Sequence, residues 1–173
     1  KRSRLFNFLK RIDTSLVLRL SDQAAGIIGI TSDLVQSRAS WGGKRTAVLE
    51  GIAEVSDENE STQEQCDTEV LHQYGLEKGF LFYAGGLAEP YGVGILIDAV
   101  KQLAGKVHLV LCGAGAMEER VHREAREHPQ IIHYLGSIPP EDVKALSRNA
   151  SFLVNARIPG DAYLRYSFPS KLL

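Results

Sequence analysis

Phe80-Leu81-Phe82-Tyr83-Ala84-Gly85-Gly86 and Val107-His108-Leu109-Val110-Leu111-Cys112-Gly113-Ala114-Gly115 decide the fold class of this chain. Each is a short, almost continuous apolar run that ends in glycine. Such a run reads as a strand buried on both faces, not as the alternating strand of a half-solvated sheet. Val93 to Leu103 lies between them with helical periodicity, placing Ile95, Leu96, Ala99, Val100 and Leu103 on one face. Further on, Met117 to Glu127 reads as a charged helix and Ile131-Ile132-His133-Tyr134-Leu135 as a third strand, ended by Gly136. Pro140-Glu141-Asp142-Val143 opens another helix, with proline and acids where the helix dipole favours them. Ser151-Phe152-Leu153-Val154-Asn155 reads as a fourth strand. Four strands buried on both faces, separated by helices of about ten residues, predict a parallel sheet with crossover helices. The fold class is therefore α/β, with a Rossmann-like parallel sheet.

Upstream the pattern is looser. Leu5, Phe8, Leu9, Ile12, Leu16 and Leu20 recur at helical spacing, with Arg4, Lys10, Arg11 and Arg19 interleaved. Gly26 to Ile30 reads as a strand, Thr31-Ser32-Asp33 as the cap of a short helix towards Gln36, and Thr46 to Leu49 as another strand ended by Gly51. Ser56 to Asp67 lacks any apolar residue except Cys66 and reads as an exposed acidic loop. Thr68 to Tyr74 reads as a helix terminated by Gly75. The chain opens directly on a helical pattern and closes at Ser170-Lys171-Leu172-Leu173 as a further helix begins, so truncation at both ends is expected. The expected organisation is residues 1–50 as the end of a preceding domain and its crossover, 51–79 as acidic loop and linker helix, and 80–173 as an incomplete nucleotide-binding domain.

Composition removes several function classes. Hydrophobic residues make up 44% and charged residues 24% of the 173, as in an ordinary globular protein. A net charge of −1 argues against nucleic acid as partner, because phosphate binding along a duplex needs a basic surplus. The two cysteines, Cys66 and Cys112, form no CxxC pair, which argues against a zinc site and a disulfide framework and fits a reducing compartment. No apolar run reaches the length of a membrane span. The expected location is the cytoplasm or the inner face of the cytoplasmic membrane. The basic amphipathic stretch 1–20 admits peripheral membrane contact, although such helices more often pack their apolar stripe against their own domain, which is the favoured reading.

In a parallel sheet, ligands bind beyond the carboxyl ends of the strands. The informative loops are Gly85-Gly86, Gly113-Ala114-Gly115, Gly136-Ser137-Ile138 and Asn155-Ala156-Arg157. Glycine at three of these four ends permits the close backbone approach that a phosphate cradle needs, although glycine is also a common turn residue in any α/β protein. Gly113-Ala114-Gly115-Ala116-Met117-Glu118 matches the first two glycines of GxGxxG but has glutamate at the third, and no acid ends the next strand, so a dinucleotide site is disfavoured. GxxxxGK[ST] is absent. The histidines His72, His108, His122, His128 and His133 do not pair at ligand spacing, and none is read as catalytic. Trp41 is expected to pack at a hinge, and Asp161 to make a turn.

Tyr83-Ala84-Gly85-Gly86-Leu87, Tyr91-Gly92-Val93, Cys112-Gly113-Ala114-Gly115, Tyr134-Leu135-Gly136 and Arg165-Tyr166-Ser167-Phe168-Pro169-Ser170-Lys171, in this order, resemble the C-terminal, donor-binding half of retaining GT-B glycosyltransferases. The nearest resemblance is to the group 1, family 4-like enzymes of bacterial polysaccharide biosynthesis, and it spans about Leu20 to Leu173. It implies transfer of a hexosyl or N-acetylhexosaminyl group from a nucleotide diphosphate sugar to a glycan or lipid-linked acceptor, as in lipopolysaccharide, O-antigen or capsule synthesis. No cofactor or metal is implied. The implied donor-binding residues are Gly85, Gly86, Gly113, Gly115, Ser137, Ile138, Asn155, Arg165, Phe168, Ser170 and Lys171. Gly85-Gly86 approaches the diphosphate, Ser137-Ile138 the base, and the helix opening at Phe168 to Lys171 points its N-terminus at the phosphates. The chain departs from the resembling family in two places. Many members carry arginine at the position of Gly86 and lysine at that of Tyr91, which leaves Lys171 and Arg165 as the expected cations. The family's carboxylate pair is also incomplete: its first position aligns with Tyr166 and its second falls beyond Leu173, so no catalytic residue is assigned. A sugar-nucleotide epimerase on the same architecture and a non-catalytic sugar-nucleotide-binding module are the competing readings.

Overall fold

The computed structural model describes residues 4–51, 60–103, 105–158 and 166. Two compact units are present, the first holding residues 4–51 and the second residues 60–158. In the first, helix α1 (Arg4–Gln23) is followed by strand β1 (Gly26–Gly29), the single-turn helix α2 (Ser32–Val35) and strand β2 (Arg45–Val48). β1 and β2 pair in parallel. Thr31 caps α2 as its sequence requires, its hydroxyl accepting from the Leu34 N–H at 3.1 Å. The apolar stripe of α1 does not pack as expected: Phe8, Leu9, Ile12, Leu16, Val17 and Leu20 are all exposed. Two four-residue strands, each about 13 Å long, cannot cover a 20-residue helix that extends for about 30 Å.

The second unit runs α3 (Glu60–Gln73), β3 (Leu81–Ala84), α4 (Val93–Gln102), β4 (Leu109–Cys112), α5 (Glu118–Glu127), β5 (Ile132–Tyr134), α6 (Pro140–Asn149) and β6 (Phe152–Leu153). The four strands form one sheet in the order β5-β4-β3-β6, and every pairing is parallel. The side-chain alternation of β3 and β4 divides the core between the two faces. Tyr83, Leu109 and Leu111 join Val93, Leu96, Ile97, Val100 and Val121 beneath α4 and α5. Phe80, Phe82, Val110 and Cys112 join Leu71 and Leu146 beneath α3 and α6. Both faces are covered, which is why these strands read as continuous apolar runs. Phe82 and Leu111 are fully buried, each contributing about 1.5–3 kcal/mol through burial.

Three expectations are corrected. The acidic segment is helical from Glu60 to Asp67, as part of α3; its earlier residues, 56–59, lie outside the described residues. Glutamate and glutamine are good helix formers, and Asp67 is buried where Arg148 Nε donates to it at 2.8 Å and Asn149 Nδ2 at 3.2 Å. The fourth strand is not buried on both faces: β6 is a two-residue edge strand with Phe152 68% exposed. Of the face expected for α4, Ile95, Ala99 and the C-cap Leu103 are exposed, and Val93 and Ile97 are buried in their place. The buried stripe is rotated from the one the spacing suggests, because Val93 and Ile97 face the sheet.

Candidate functional site

The strand order fixes where the topological switch point lies. The chain moves outward from β3 through β4 to β5, then returns to place β6 on the other side of β3. α4 and α5 consequently cover one face and α6 the other. By the general rule for parallel α/β sheets, the ligand crevice belongs at this reversal, beyond the carboxyl ends of β3 and β6. Gly85-Gly86 leaves β3 on one side of that crevice, and Asn155-Ala156-Arg157 leaves β6 on the other.

The loops after β3, β4 and β5 are laced by backbone bonds. Gly85 N–H donates to Cys112 O at 2.9 Å, Leu87 N–H to Ala114 O at 2.9 Å, Met117 N–H to Leu87 O at 2.9 Å, and Gly113 N–H to Gly136 O at 2.7 Å. This lacing explains the glycines. Gly113 has φ +128°, and a Cβ there would run into the Gly85 carbonyl. At Gly115 the obstacle would be the Leu87 carbonyl. Gly113 and Gly115 thus bring the backbones of the β3 and β4 loops into contact, a glycine floor at this edge of the sheet.

Tyrosines fix the loops from below. The Tyr83 hydroxyl donates to Gly86 O at 2.9 Å and the Tyr134 hydroxyl to Gly113 O at 2.7 Å. Burial pushes the Tyr83 phenol up to about 12, Tyr91 adds to the rise, and the Arg157 cation opposes it. Burial, with Glu118 nearby, also raises Tyr134. Both therefore act as neutral hydrogen-bond donors. Tyr91 lies against Gly86 and carries Arg157 over its ring, 5.3 Å from Cζ to the centroid.

The structure brings Gly85, Gly86, Gly113 and Gly115 together at one edge of the sheet. Ser137 and Ile138 follow Gly136 at the same edge; Ser137 is exposed, whereas Ile138 packs its side chain against the core under α6. Asn155 is exposed beyond β6. Arg165, Phe168, Ser170 and Lys171, like Asp161, lie outside the described residues. Sequence reading gave Tyr83, Tyr134 and Arg157 no role of their own and noted Tyr91 only as standing where many family members carry lysine. Arg157 carried one signal, its place just after the fourth strand, but its partner Tyr91 is 66 positions away in the chain. The trio Glu124, Glu127 and His128 could place ligand atoms around a cation, but Glu124 is already held by Lys101 Nζ at 2.8 Å. That contact keeps its carboxyl below the usual range against the desolvation of burial.

Glycine-rich loops at the switch point of a parallel sheet are a device by which α/β domains bring backbone close to phosphates. The family model described as glycosyl transferases group 1 matches residues 78–173, the span that contains this sheet and its loops. The chain belongs to the group 1 glycosyl transferases, a family that transfers a glycosyl group from a nucleotide-sugar donor to an acceptor. No curated protein matches the chain at a significant level. Among the described residues, no helix is long and apolar enough to cross a membrane.

Proposed function

We propose that residues 80–173 form the donor-binding domain of a retaining glycosyltransferase, and that residues 1–50 end its acceptor-side domain. The donor is a nucleotide diphosphate hexose or N-acetylhexosamine. The acceptor is a glycan or lipid-linked glycan of a bacterial surface polysaccharide, met in the cytoplasm or at the inner membrane face. The observation that carries the reading is the close backbone approach of the β3 and β4 loops that Gly113 and Gly115 permit at the switch point. A diphosphate needs close backbone approach and amide donors, which glycine-rich strand ends supply. Ser137 and Ile138 are assigned to the base, and Asn155 to the rim on the β6 side. Arg165, Phe168, Ser170 and Lys171 are assigned to the phosphates through cationic charge and helix amides, with no metal. Neutralising the leaving diphosphate is the main electrostatic task in breaking the donor's glycosidic bond.

Saturation-transfer NMR of the protein with UDP, GDP, ADP, CMP and NAD, each competed against the others, tests the reading. Selective signal from one nucleoside diphosphate, lost in Lys171→Ala, supports it and names the base. Selective NAD binding contradicts it.

A further inference from the structure

The crevice at the switch point has two walls, and only the β3 wall is built of glycine. The β6 wall is Asn155-Ala156-Arg157, and it is fastened to the turn that follows β3. A Cβ on Gly92, which has φ +70°, would collide with the Ala156 carbonyl, so the two backbones are in contact there. Ile158 N–H reaches Pro90 O at 3.4 Å. Arg157 lies over the Tyr91 ring, and the edge of that ring in turn covers Gly86, where a Cβ would lie 2.7 Å from Tyr91 Cε2. Gly86, Tyr91 and Arg157 therefore form a stack that rises from the glycine floor at the crevice.

The stack sets a cation next to the floor. An arginine over an aromatic face keeps a rigid guanidinium fork whose N–H groups match two oxygens of a phosphate. Glu118, at the start of α5, lies close enough to Tyr134 to raise its phenol. The floor between β3 and β4 has an acid near its β5 side and an arginine on its β6 side, so an anion entering the crevice is drawn towards β6.

We infer that Arg157, seated on Tyr91, is a phosphate-binding residue of the donor site and orients the diphosphate at the β3–β6 crevice. This rests on the donor reading proposed above. Tyr91 acts through Arg157 and is a positioning residue.

The test measures dissociation constants of UDP, GDP and ADP, and of the matching nucleosides, for wild-type protein, Arg157→Ala, Arg157→Lys, Tyr91→Phe and Tyr91→Ala, with folding checked by circular dichroism. Loss of a charge-assisted bidentate contact weakens binding about tenfold or more. That loss is expected in Arg157→Ala for the diphosphate alone, with nucleoside affinity unchanged. Arg157→Lys recovers part of the affinity, and Tyr91→Phe keeps it because the ring face remains. Tyr91→Ala weakens the diphosphate, and the Tyr91→Ala/Arg157→Ala pair loses little more than Arg157→Ala. Diphosphate binding within twofold of wild type in a folded Arg157→Ala overturns the assignment of Arg157 and leaves the donor reading standing. An equal loss of nucleoside and diphosphate overturns it as well, because it marks a structural role. Failure of the wild-type protein to bind any nucleoside diphosphate overturns the donor reading, and this inference with it.

Discussion

Gly86 and Tyr91 occupy one space: a methyl group on Gly86 would lie 2.7 Å from Tyr91 Cε2 and 3.2 Å from Cδ2. Any side chain at position 86 has to displace the ring that carries Arg157. A side chain at position 86 and the Tyr91 ring thus compete for the same volume.

The first prediction follows from that exclusion. Gly86→Ala destabilises the protein by about 1–2 kcal/mol through overpacking. Gly86→Ala/Tyr91→Ala recovers most of that loss, because the obstruction is gone. Urea unfolding of the four proteins of the cycle measures it; additive losses would show that the two positions do not share space.

A second concerns the floor. Gly113→Ala combines an unfavourable φ of +128° with a collision against the Gly85 carbonyl, and loses about 3 kcal/mol. Gly75 has φ +63° but no neighbour within 4 Å of a Cβ, so Gly75→Ala loses only the left-handed penalty of about 1–2 kcal/mol. Thermal melting ranks them, and equal losses would argue against contact between the β3 and β4 loops.

Asp67 gives a third. It is 6% exposed on α3 and accepts from Arg148 Nε at 2.8 Å, Arg148 Nη2 at 2.5 Å and Asn149 Nδ2 at 3.2 Å. Because Arg148 itself is 40% exposed, solvent screens part of this pair. Asp67→Ala is expected to lose about 1–3 kcal/mol, seen as a shift in the urea midpoint. Arg148→Ala/Asp67→Ala together should lose less than the sum of the two.

These elements show how much was legible in the chain. β3 and β4 could be read because burial on both faces leaves a local signature of unbroken apolar residues. The glycine floor could be read because glycine marks a backbone constraint at its own position. α3 was misread between Glu60 and Asp67 because Asp67 is matched by Arg148, 81 residues downstream, and nothing local announces that pairing. Arg157 went unweighted for the same reason: its meaning comes from Tyr91 and from the return of β6 beside β3, which only the topology supplies.

Acid titration separates two groups. Burial and His108 hold His133 below the ordinary histidine value of 6.5. Unfolded chains therefore take up a proton first, and stability falls as pH drops below 6.5 towards the lowered folded value. His133→Gln flattens that part of the curve. Glu124 is held below its ordinary 4.5 by Lys101, so its contribution persists above 4.5 and is lost as pH falls further. Melting temperatures from pH 7.5 to 3.5 should show both windows, and an unchanged curve in His133→Gln would refute the first.

The most direct test of the account is amide chemical-shift mapping with a saturating nucleoside diphosphate. Glycine amides mark both edges of the sheet: Gly85, Gly86, Gly113 and Gly115 at the carboxyl edge, and Gly75 and Gly79 beside a groove of about 470 Å³ lined by Lys78, His108 and His133 at the amino edge. The account predicts shifts at Gly85, Gly86, Gly113 and Gly115, with Gly75 and Gly79 unmoved. Shifts confined to Gly75, Gly79 and their groove would contradict it.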